Sequence, residues 1–464
     1  MAVRQASPGR PRIALVANVA VRQGGGSALV ALASFSCCAM AARAQGLQPR
    51  PLLLAPPPPL EHAPLQPGRI GLPPTVAPPG PRLQAQVSCP PLQQALQRLI
   101  GAESPVWSVT VTEPGGRLLA DINGTTPRIP ASNQKLLSTA FALDQLGPEH
   151  RLATQLWRLP NGSWRLVGQG DPDLTMPGLR HLLGAIQASP SAEPVQPLRL
   201  ELAEEPRSLW WPAGWHPQDR LEAYGAPITR LALDGNALDQ AVADPLNRLE
   251  RLLSRAITRP GTNLRLVPIS AAEPLPAQSQ LVLERSSLPL HDLLGLANTE
   301  SHNFTAEVLL RQAAQQWDGR LAAAAASQWL SHQGLPMQGV QVVDGSGLDR
   351  ANRVTSRFLA ALLLRMDHHR YGRDYLQSMA VAGERGTLRR LFVGTPLQGH
   401  FRGKTGTISG VRAISGRLEM ADGVRYLSMV SNGAAAPNRT MEAILLASRQ
   451  DLGCSGPQTM ASLP

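Results

Sequence analysis

The stretch Pro130-Ala131-Ser132-Asn133-Gln134-Lys135-Leu136-Leu137 decides the fold and the chemistry of this 464-residue chain. Apolar residues follow it at helical spacing until Gly147, so the stretch is predicted to open a helix. Ser132 and Lys135 then share one helical face and lie within reach of each other. A serine needs an adjacent base to become a nucleophile, and a buried lysine that has lost its proton can serve as that base.

Lysine is nearly absent from the rest of the chain. Of the 44 basic residues other than histidine, two are lysines, Lys135 and Lys404. Arginine keeps its proton in proteins, whereas the pKa of a lysine falls readily on burial. The two lysines therefore indicate positions where arginine does not serve. A codon bias toward arginine explains their scarcity, but it does not explain why they lie in Ser-x-x-Lys and Lys-Thr-Gly contexts.

Two further motifs follow the first in a fixed order. Ser301-His302-Asn303 begins 169 residues after Ser132, and Lys404-Thr405-Gly406 begins another 103 residues later. Ser-x-x-Lys, Ser-x-Asn and Lys-Thr-Gly in this order resemble the signature of β-lactamases and penicillin-binding proteins. Three unrelated surface motifs are the alternative, and the use of both lysines in the ordered set argues against it.

The part of the chain that holds these motifs resembles the D-alanyl-D-alanine carboxypeptidases of the class C low-molecular-mass penicillin-binding proteins, whose members also act as endopeptidases on peptidoglycan cross-links. The resemblance runs from about Ala131 to Ser431. It implies an α/β (α+β) penicillin-recognising fold, with an antiparallel sheet flanked by helices and an inserted β-rich domain. Four more stretches carry it: Gly168-Gln169-Gly170-Asp171-Pro172-Asp173-Leu174, Ala306-Glu307, Asp344-Gly345-Ser346-Gly347-Leu348 and Gly386-Thr387-Leu388.

The resemblance also implies a role for each motif residue. Peptidoglycan peptides are the expected substrates and β-lactams the expected covalent inhibitors, with no cofactor and no metal. The expected roles are Ser132 as nucleophile, Lys135 as its base, Ser301 as proton relay, Asn303 on the substrate amide, Lys404 and Thr405 on the terminal carboxylate, Gly406 as a point of close backbone approach, and the amide N–H groups of Ser132 and Thr407 as the oxyanion hole.

Two features depart from the family pattern. The middle residue of Ser-x-Asn is usually acidic in relatives and is His302 here, which we interpret as a tolerated neighbour rather than a second catalytic base. The 169 residues between the first two motifs are also few for this family. They leave room for one sizeable insert, so a division of the insert into two subdomains stays open.

The N-terminus has the pattern of an export signal. Five arginines and no acidic residue lie in residues 1–44, and the apolar stretch 27–42 is short for a membrane span, so cleavage without a stable span is expected. The expected organisation is a signal peptide at 1–44, a Pro-rich linker at 45–86, catalytic parts at 87–155 and 281–456, an inserted β-rich domain at 156–280 and a tail at 457–464. The expected location is the periplasm or cell envelope.

Two cysteines remain after the expected signal, Cys89 and Cys454. In the resembled fold both ends of the chain belong to the same catalytic domain, so a disulfide between the two cysteines is one expectation. Two unpaired thiols are the other, because a single pair in an exported protein does not amount to a disulfide scaffold.

Three other function classes fit the sequence less well. The formal charge of +11 suggests a nucleic-acid partner, but no basic run or aromatic-interleaved stripe appears, so none is expected. A class A β-lactamase needs a glutamate-bearing loop after the Ser-x-Asn motif, and the nearest match, Asp244-Pro245-Leu246-Asn247, precedes that motif. A catalytically inactive scaffold would not need both lysines. The favoured reading is an exported serine DD-peptidase; its balance of carboxypeptidase and endopeptidase activity and its oligomeric state stay open.

Overall fold

A computed structural model describes residues 80–188, 198–256, 264–421 and 423–454. The predicted signal peptide, most of the predicted Pro-rich linker and the predicted tail lie outside these residues. Across the described ranges, no helix combines the length and the apolar character needed to cross a bilayer.

The described residues form eleven β-strands and ten α-helices. The strands are β1 Trp107–Thr112, β2 Leu118–Ile122, β3 Arg151–Arg158, β4 Trp164–Gly168, β5 Leu198–Glu204, β6 Leu264–Ser270, β7 Gln280–Pro289, β8 Ala380–Val381, β9 Phe401–Ile408, β10 Val411–Met420 and β11 Gly423–Asn432. The helices are α1 Pro90–Ile100, α2 Lys135–Leu146, α3 Met176–Ala188, α4 Pro245–Ala256, α5 Leu290–Asn298, α6 Asn303–Ala314, α7 Gly319–His332, α8 Ser356–Asp367, α9 Gly372–Gln377 and α10 Pro437–Arg449.

The larger of the two sheets has six strands in the order β2-β1-β11-β10-β9-β8, and all its pairs are antiparallel. Side chains alternate between its two faces, so neighbouring residues of β10 enter different cores. Ala413 packs into the core with α2, α5, α6, α7 and α8, whereas Ile414 packs into the core with α1 and α10. The sheet is therefore covered by helices on both faces.

A second sheet lies between α2 and α5 in the chain, with the strand order β6-β5-β4-β3-β7. β3 pairs antiparallel with β4 and β7, whereas β4, β5 and β6 run parallel. Parallel neighbours need a crossover, and α3 and α4 lie in these two connections. Their leucines, such as Leu179 and Leu253, build a separate core on this sheet. The alternating sequence of residues 163–167, 198–202 and 264–267 predicts strands, and β4, β5 and β6 lie at these positions, with Ser163 just before β4.

Cys89 and Cys454 form a disulfide, with their Cα atoms 5.3 Å apart. Cys89 directly precedes α1 and Cys454 follows α10 by a few residues, so the bond joins the two ends of the described chain across 365 residues of sequence. Of the two expectations for these cysteines, the structure contains the bonded pair. A bridge that closes so long a loop restricts the unfolded chain strongly.

The sequence pattern of residues 288–313 is helical, and the structure contains two helices there. α5 ends at Asn298 and α6 begins at Asn303, with Ser301 between them at a φ of 63°. A left-handed φ at a residue that is not glycine cannot continue a helix. Ser301 therefore lies in the turn between the two helices.

Candidate active site

The first motif forms a tight turn in front of a helix. Residues Ala131–Gln134 are a 3₁₀ turn, and α2 begins at Lys135. A 3₁₀ turn has about three residues per turn, so side chains three apart stand one above the other. This places the Lys135 Nζ atom 2.9 Å from Ser132 Oγ. Ala131, which precedes the serine, has a φ of 47°, a strained backbone of the kind that clusters at functional sites.

Lys135 is fully buried, and its ammonium group has three acceptors. Besides Ser132 Oγ, Nζ donates to Asn303 Oδ1 at 2.6 Å and to the Ser346 carbonyl at 2.8 Å. Burial lowers the pKa of Lys135 from 10.5 to about 7, against the opposing charges of Asp344 and Glu307. A lysine with this pKa carries a substantial free-base fraction at neutral pH and can accept a proton.

The second and third motifs meet through Lys404 and Ser301. Lys404, fully buried on β9, donates from Nζ to Ser301 Oγ at 2.9 Å and to the Thr405 carbonyl at 2.8 Å. Burial lowers the pKa of Lys404 well below 10.5, and the nearby Lys135 ammonium lowers it further. The structure thus brings the three predicted motifs into one site.

β9 forms one wall of this site and lies close to the nucleophile turn. A Cβ atom on Gly406 would lie 2.6 Å from the Pro130 carbonyl oxygen, so only glycine allows this approach. Thr405 Oγ1 donates to Thr387 Oγ1 at 2.8 Å, which ties the strand to the Gly386-Thr387-Leu388 segment. A cleft of about 570 Å³ is lined by Ser132, Ser301 and Thr407, among others.

The sequence that forms this site matches a known family of enzymes. The family model for the D-Ala-D-Ala carboxypeptidase 3 (S13) family matches residues 92–247 and 237–450. The chain belongs to the D-Ala-D-Ala carboxypeptidase 3 (S13) family. The predicted resemblance to class C low-molecular-mass penicillin-binding proteins is confirmed, and so is the prediction of a serine-type carboxypeptidase.

Similar proteins include a curated relative and two solved structures. The chain is 28% identical to the D-alanyl-D-alanine carboxypeptidase of Actinomadura sp. strain R39, over 73% of this chain and 79% of the relative. Penicillin binding protein 4 of Haemophilus influenzae superposes with a TM-score of 0.62 at 19% identity, covering 76% of this chain and 98% of that chain. A predatory peptidoglycan endopeptidase of Bdellovibrio bacteriovorus gives a TM-score of 0.52 at 19% identity, with 74% and 92% covered. These structural likenesses confirm the predicted penicillin-recognising fold.

In this S13 family member, the connection that follows β5 also reaches the site. Asn303, the first residue of α6, uses Oδ1 for Lys135, and its Nδ2 donates to the Tyr224 carbonyl at 2.9 Å. Tyr224 itself is half exposed and its hydroxyl donates to Asp219. Sequence reasoning did not single out Tyr224, because a backbone carbonyl acts as the acceptor and leaves no mark in the side-chain pattern.

A buried carboxylate holds the loop behind Lys135. Glu307 Oε1 accepts from the amide N–H groups of Gly345 and Ser346, each at 2.9 Å, while Oε2 accepts from Arg311 at 2.8 Å. These bonds aim the Ser346 carbonyl at Lys135. Both stretches were recognised in the sequence as parts of the family pattern, but the sequence gives no contact between them and so no positioning role for Glu307.

His302 lies beside the site without joining its hydrogen bonds. Its Nδ1 atom lies 2.7 Å from Thr305 Oγ1, within the first turn of α6. Burial and the Lys135 charge lower the pKa of His302 to about 4, so the ring is neutral near pH 7. In the part of the chain that the structure describes, no three His, Cys, Asp or Glu side chains converge as metal ligands.

Proposed function

We propose that this protein is an exported serine DD-peptidase that cleaves the D-Ala-D-Ala amide, or the D-centred cross-link amide, of peptidoglycan peptides through an acyl-enzyme. The observation that carries the proposal is the buried Lys135 Nζ, 2.9 Å from Ser132 Oγ. β-Lactams would acylate the same serine and inhibit the enzyme. Carboxypeptidase chemistry is the activity of the family, whereas the covalent intermediate, the export and the penicillin sensitivity are parts of this proposal.

Acylation begins with Lys135 in its free-base form. It takes the proton of Ser132 as Oγ attacks the scissile carbonyl, and the carbonyl oxygen becomes an oxyanion. The amide N–H groups of Ser132 and Thr407 would stabilise that charge. Thr405 supports this arrangement, because its carbonyl accepts from Lys404 and therefore lies on the side of β9 away from β10. Backbone groups two residues apart in a strand point the same way, so Thr407 directs its N–H into the cleft.

Collapse of the tetrahedral intermediate breaks the amide C–N bond, and the leaving amine needs a proton. Ser301 Oγ can pass it on, since this hydroxyl is held by Lys404 at 2.9 Å and lies in the same cleft as Ser132. A water molecule then attacks the acyl-enzyme with Lys135 again as base, and the serine is regenerated. Lys135 and Ser301 act as catalytic residues in this scheme, with Ser132 as nucleophile.

Substrate recognition falls to the remaining motif residues. The carboxylate of the leaving D-Ala would bind Lys404 and Thr405, with Gly406 keeping the strand close to the serine. Asn303 uses one N–H on Tyr224, and the second N–H of its amide group can hold the carbonyl of a substrate amide.

We also propose that residues 1–44 are removed on export to the periplasm and that residues 45–86 tether the enzyme. The arginine-rich, acid-free start and the proline content carry this part. In the folded part, 87–155 with 281–456 would form the catalytic unit and 156–280 the insert, which contains most of the second sheet. N-terminal sequencing of the secreted protein tests the cleavage after Ala44.

The experiment that tests the site is covalent labelling with a fluorescent penicillin, followed by mass mapping of the adduct. We expect the adduct on Ser132 in the native protein and no adduct in Ser132→Ala, with an unchanged melting curve. Ser409→Ala, an exposed serine just after β9, is the matched control and should label normally. An adduct that survives in Ser132→Ala would remove Ser132 as nucleophile.

A nitrocefin assay on the same preparations tests the β-lactamase alternative. We expect one equivalent of nitrocefin to react per enzyme molecule and further hydrolysis to be slow or absent, because a DD-peptidase deacylates β-lactams slowly. In the structure, Asp244 lies directly before α4 in the layer of the second sheet, where its Oδ1 accepts from the Asn247 amide. Fast multiple turnover of nitrocefin would favour the β-lactamase instead.

A further inference from the structure

The cleft that opens at Ser132 continues around the edge of β9 to the face of the sheet covered by α10. β8 pairs with β9 only at Gly403 and Arg402, so within the described chain the edge of residues 404–408 has no neighbouring strand. The lining of the cleft includes residues of the loop after Thr387 and of the first turns of α10. We call this continuation the α10 groove, and its lining includes Arg390, Phe392, Arg412, Arg439 and Glu442.

Strand alternation shows which side chains of β9 face the groove. Ile414 lies opposite Thr405 in the register, and Arg412 lies opposite Thr407. Ile414 belongs to the core under α10, and directly paired residues point to the same face of a sheet. The hydroxyl groups of Thr405 and Thr407 therefore lie on the side of the α10 groove, while the Lys404 side chain reaches Ser301.

The charges in the α10 groove are mostly positive. The lining contains three arginines and one carboxylate, namely Arg390, Arg412, Arg439 and Glu442. The formal charge of these four side chains is therefore +2. Arg390 and Arg439 are exposed, and neither has an ion-pair partner among the described residues. Guanidinium groups without a protein partner, at the rim of a catalytic cleft, are suited to bind carboxylates of a ligand.

The loop that carries Arg390 is fixed in place. Phe392 has a φ of 66°, an uncommon conformation for a bulky residue, yet its side chain is buried in the core with α1 and α10. Its carbonyl accepts from the Thr395 hydroxyl at 2.8 Å. Strain of this kind persists when the surrounding structure determines it, so Arg390 is presented to the groove from a set position.

We propose that the α10 groove binds the leaving side of a peptidoglycan cross-link, an anionic peptide attached to the leaving amine. The proposal rests on the proposed function, in which Lys404 and Thr405 hold the carboxylate next to the scissile amide. A single D-alanine ends at that carboxylate. A cross-linked leaving group carries the same carboxylate and then continues into a second stem peptide with further carboxylates, which Arg390 and Arg439 would bind.

This assignment makes Arg390 and Arg439 specificity-determining residues for endopeptidase activity. In both reactions the amide C–N bond breaks, the acyl group passes to Ser132 Oγ and the leaving amine takes a proton. Only the length and charge of the departing amine differ. The groove therefore favours cross-links over simple D-Ala termini without any change in the catalytic residues.

The test compares two substrates in three proteins: the native chain, the double variant Arg390→Gln/Arg439→Gln, and Arg389→Gln as an exposed neighbour outside the groove. The substrates are a stem peptide that ends in D-Ala-D-Ala and a purified cross-linked dimer of two stem peptides. We expect kcat/KM for the dimer to fall about tenfold more than kcat/KM for D-Ala release in the double variant, mainly through KM. Arg389→Gln should leave the ratio of the two unchanged.

Glu442→Gln provides a second readout, because it removes the one negative charge of the groove and should lower KM for the dimer. Raising the salt concentration should raise KM for the dimer more than KM for D-Ala release. A ratio that stays within twofold of the native value in the double variant, or a native enzyme that releases D-Ala but never cleaves the dimer, overturns the proposal. Failure of the proposed function has a different signature, namely no D-Ala release and no penicillin adduct in the native enzyme.

Discussion

The two buried lysines are the same residue type in two differently built surroundings. Lys135, at the start of α2, directs its three N–H groups to three acceptors at 2.6–2.9 Å. Lys404, on β9, has two acceptors, Ser301 Oγ and the Thr405 carbonyl. An ammonium group has three donors, so Lys404 retains one without a partner among the described residues.

The charged groups around the two lysines also differ. The charges of Asp344 and Glu307 oppose the lowering of the pKa of Lys135. For Lys404, the Lys135 charge adds to the lowering of the pKa that burial causes, and the Glu300 carboxylate opposes it less strongly. Within the described chain, Lys404 has a free N–H donor and a positive neighbour, so an arriving substrate carboxylate would stabilise its charge. Lys135 has all three donors in hydrogen bonds, so it has no donor left for substrate, but it can exchange a proton with Ser132. The difference indicates a base at position 135 and an anion receptor at position 404.

The largest effect that would sharpen this comparison is expected from Lys135→Arg. Arginine keeps the charge but cannot accept the serine proton at any accessible pH. Acylation by a fluorescent penicillin at saturating concentration should fall about 10²–10⁴-fold, the usual loss when a general base is removed. Stopped-flow labelling measures the rate, and a melting curve checks folding. Acylation near the native rate would show that the proton leaves Ser132 by another route.

A smaller effect is expected from Lys404→Arg, the matched substitution at the second site. The substitution keeps the positive charge and removes no proton transfer, but the larger guanidinium group must fit a fully buried position. The apparent affinity for a D-Ala-D-Ala peptide should weaken by about tenfold, with a smaller loss in the rate at saturation. Steady-state kinetics separates the two parameters, and Arg402→Lys on the same strand is the control. Equal losses at saturation for both lysine variants would break the comparison.

The sequence predicts the site better than it predicts the path of the chain between motifs. Ser132 and Lys135 are local, because their spacing alone sets their contact. The resemblance supplied the order of the other motifs, since Lys404 and Ser301 are 103 residues apart and only the fold brings them together. Local spacing and a family pattern were enough for the residues that carry chemistry.

The supporting contacts escaped prediction for physical reasons. The Tyr224 carbonyl and the amide groups of Gly345 and Ser346 act through the backbone, which has the same chemistry at every residue. The helical pattern over 288–313 is divided between α5 and α6 because a left-handed turn falls on Ser301, and periodicity does not predict a strained φ. The mixed strand directions of the second sheet could not be predicted, because the parallel pairing of β4, β5 and β6 depends on crossover connections and not on the local sequence pattern.

The smallest expected effect tests whether the charge of Lys404 lowers the pKa of Lys135. Lys135 is active as the free base, so the acylation rate of the native enzyme at saturating penicillin should rise with pH through about 7. In Lys404→Met the positive neighbour is gone, the Lys135 ammonium is easier to keep, and the pKa of Lys135 rises. The rising part of the pH profile should then move to higher pH, by up to about one unit.

The pH profile is measured with Lys404→Met and the native enzyme at matched saturation, so weakened binding does not enter the comparison. His302 does not contribute to this pH profile, because its pKa of about 4 lies well below the pH at which the acylation rate should rise. A profile that stays in place would mean that Lys404 is already neutral when Lys135 titrates. Lys404 would then gain its proton only when a carboxylate arrives, and the two sites would differ in their charge at rest as well as in their partners.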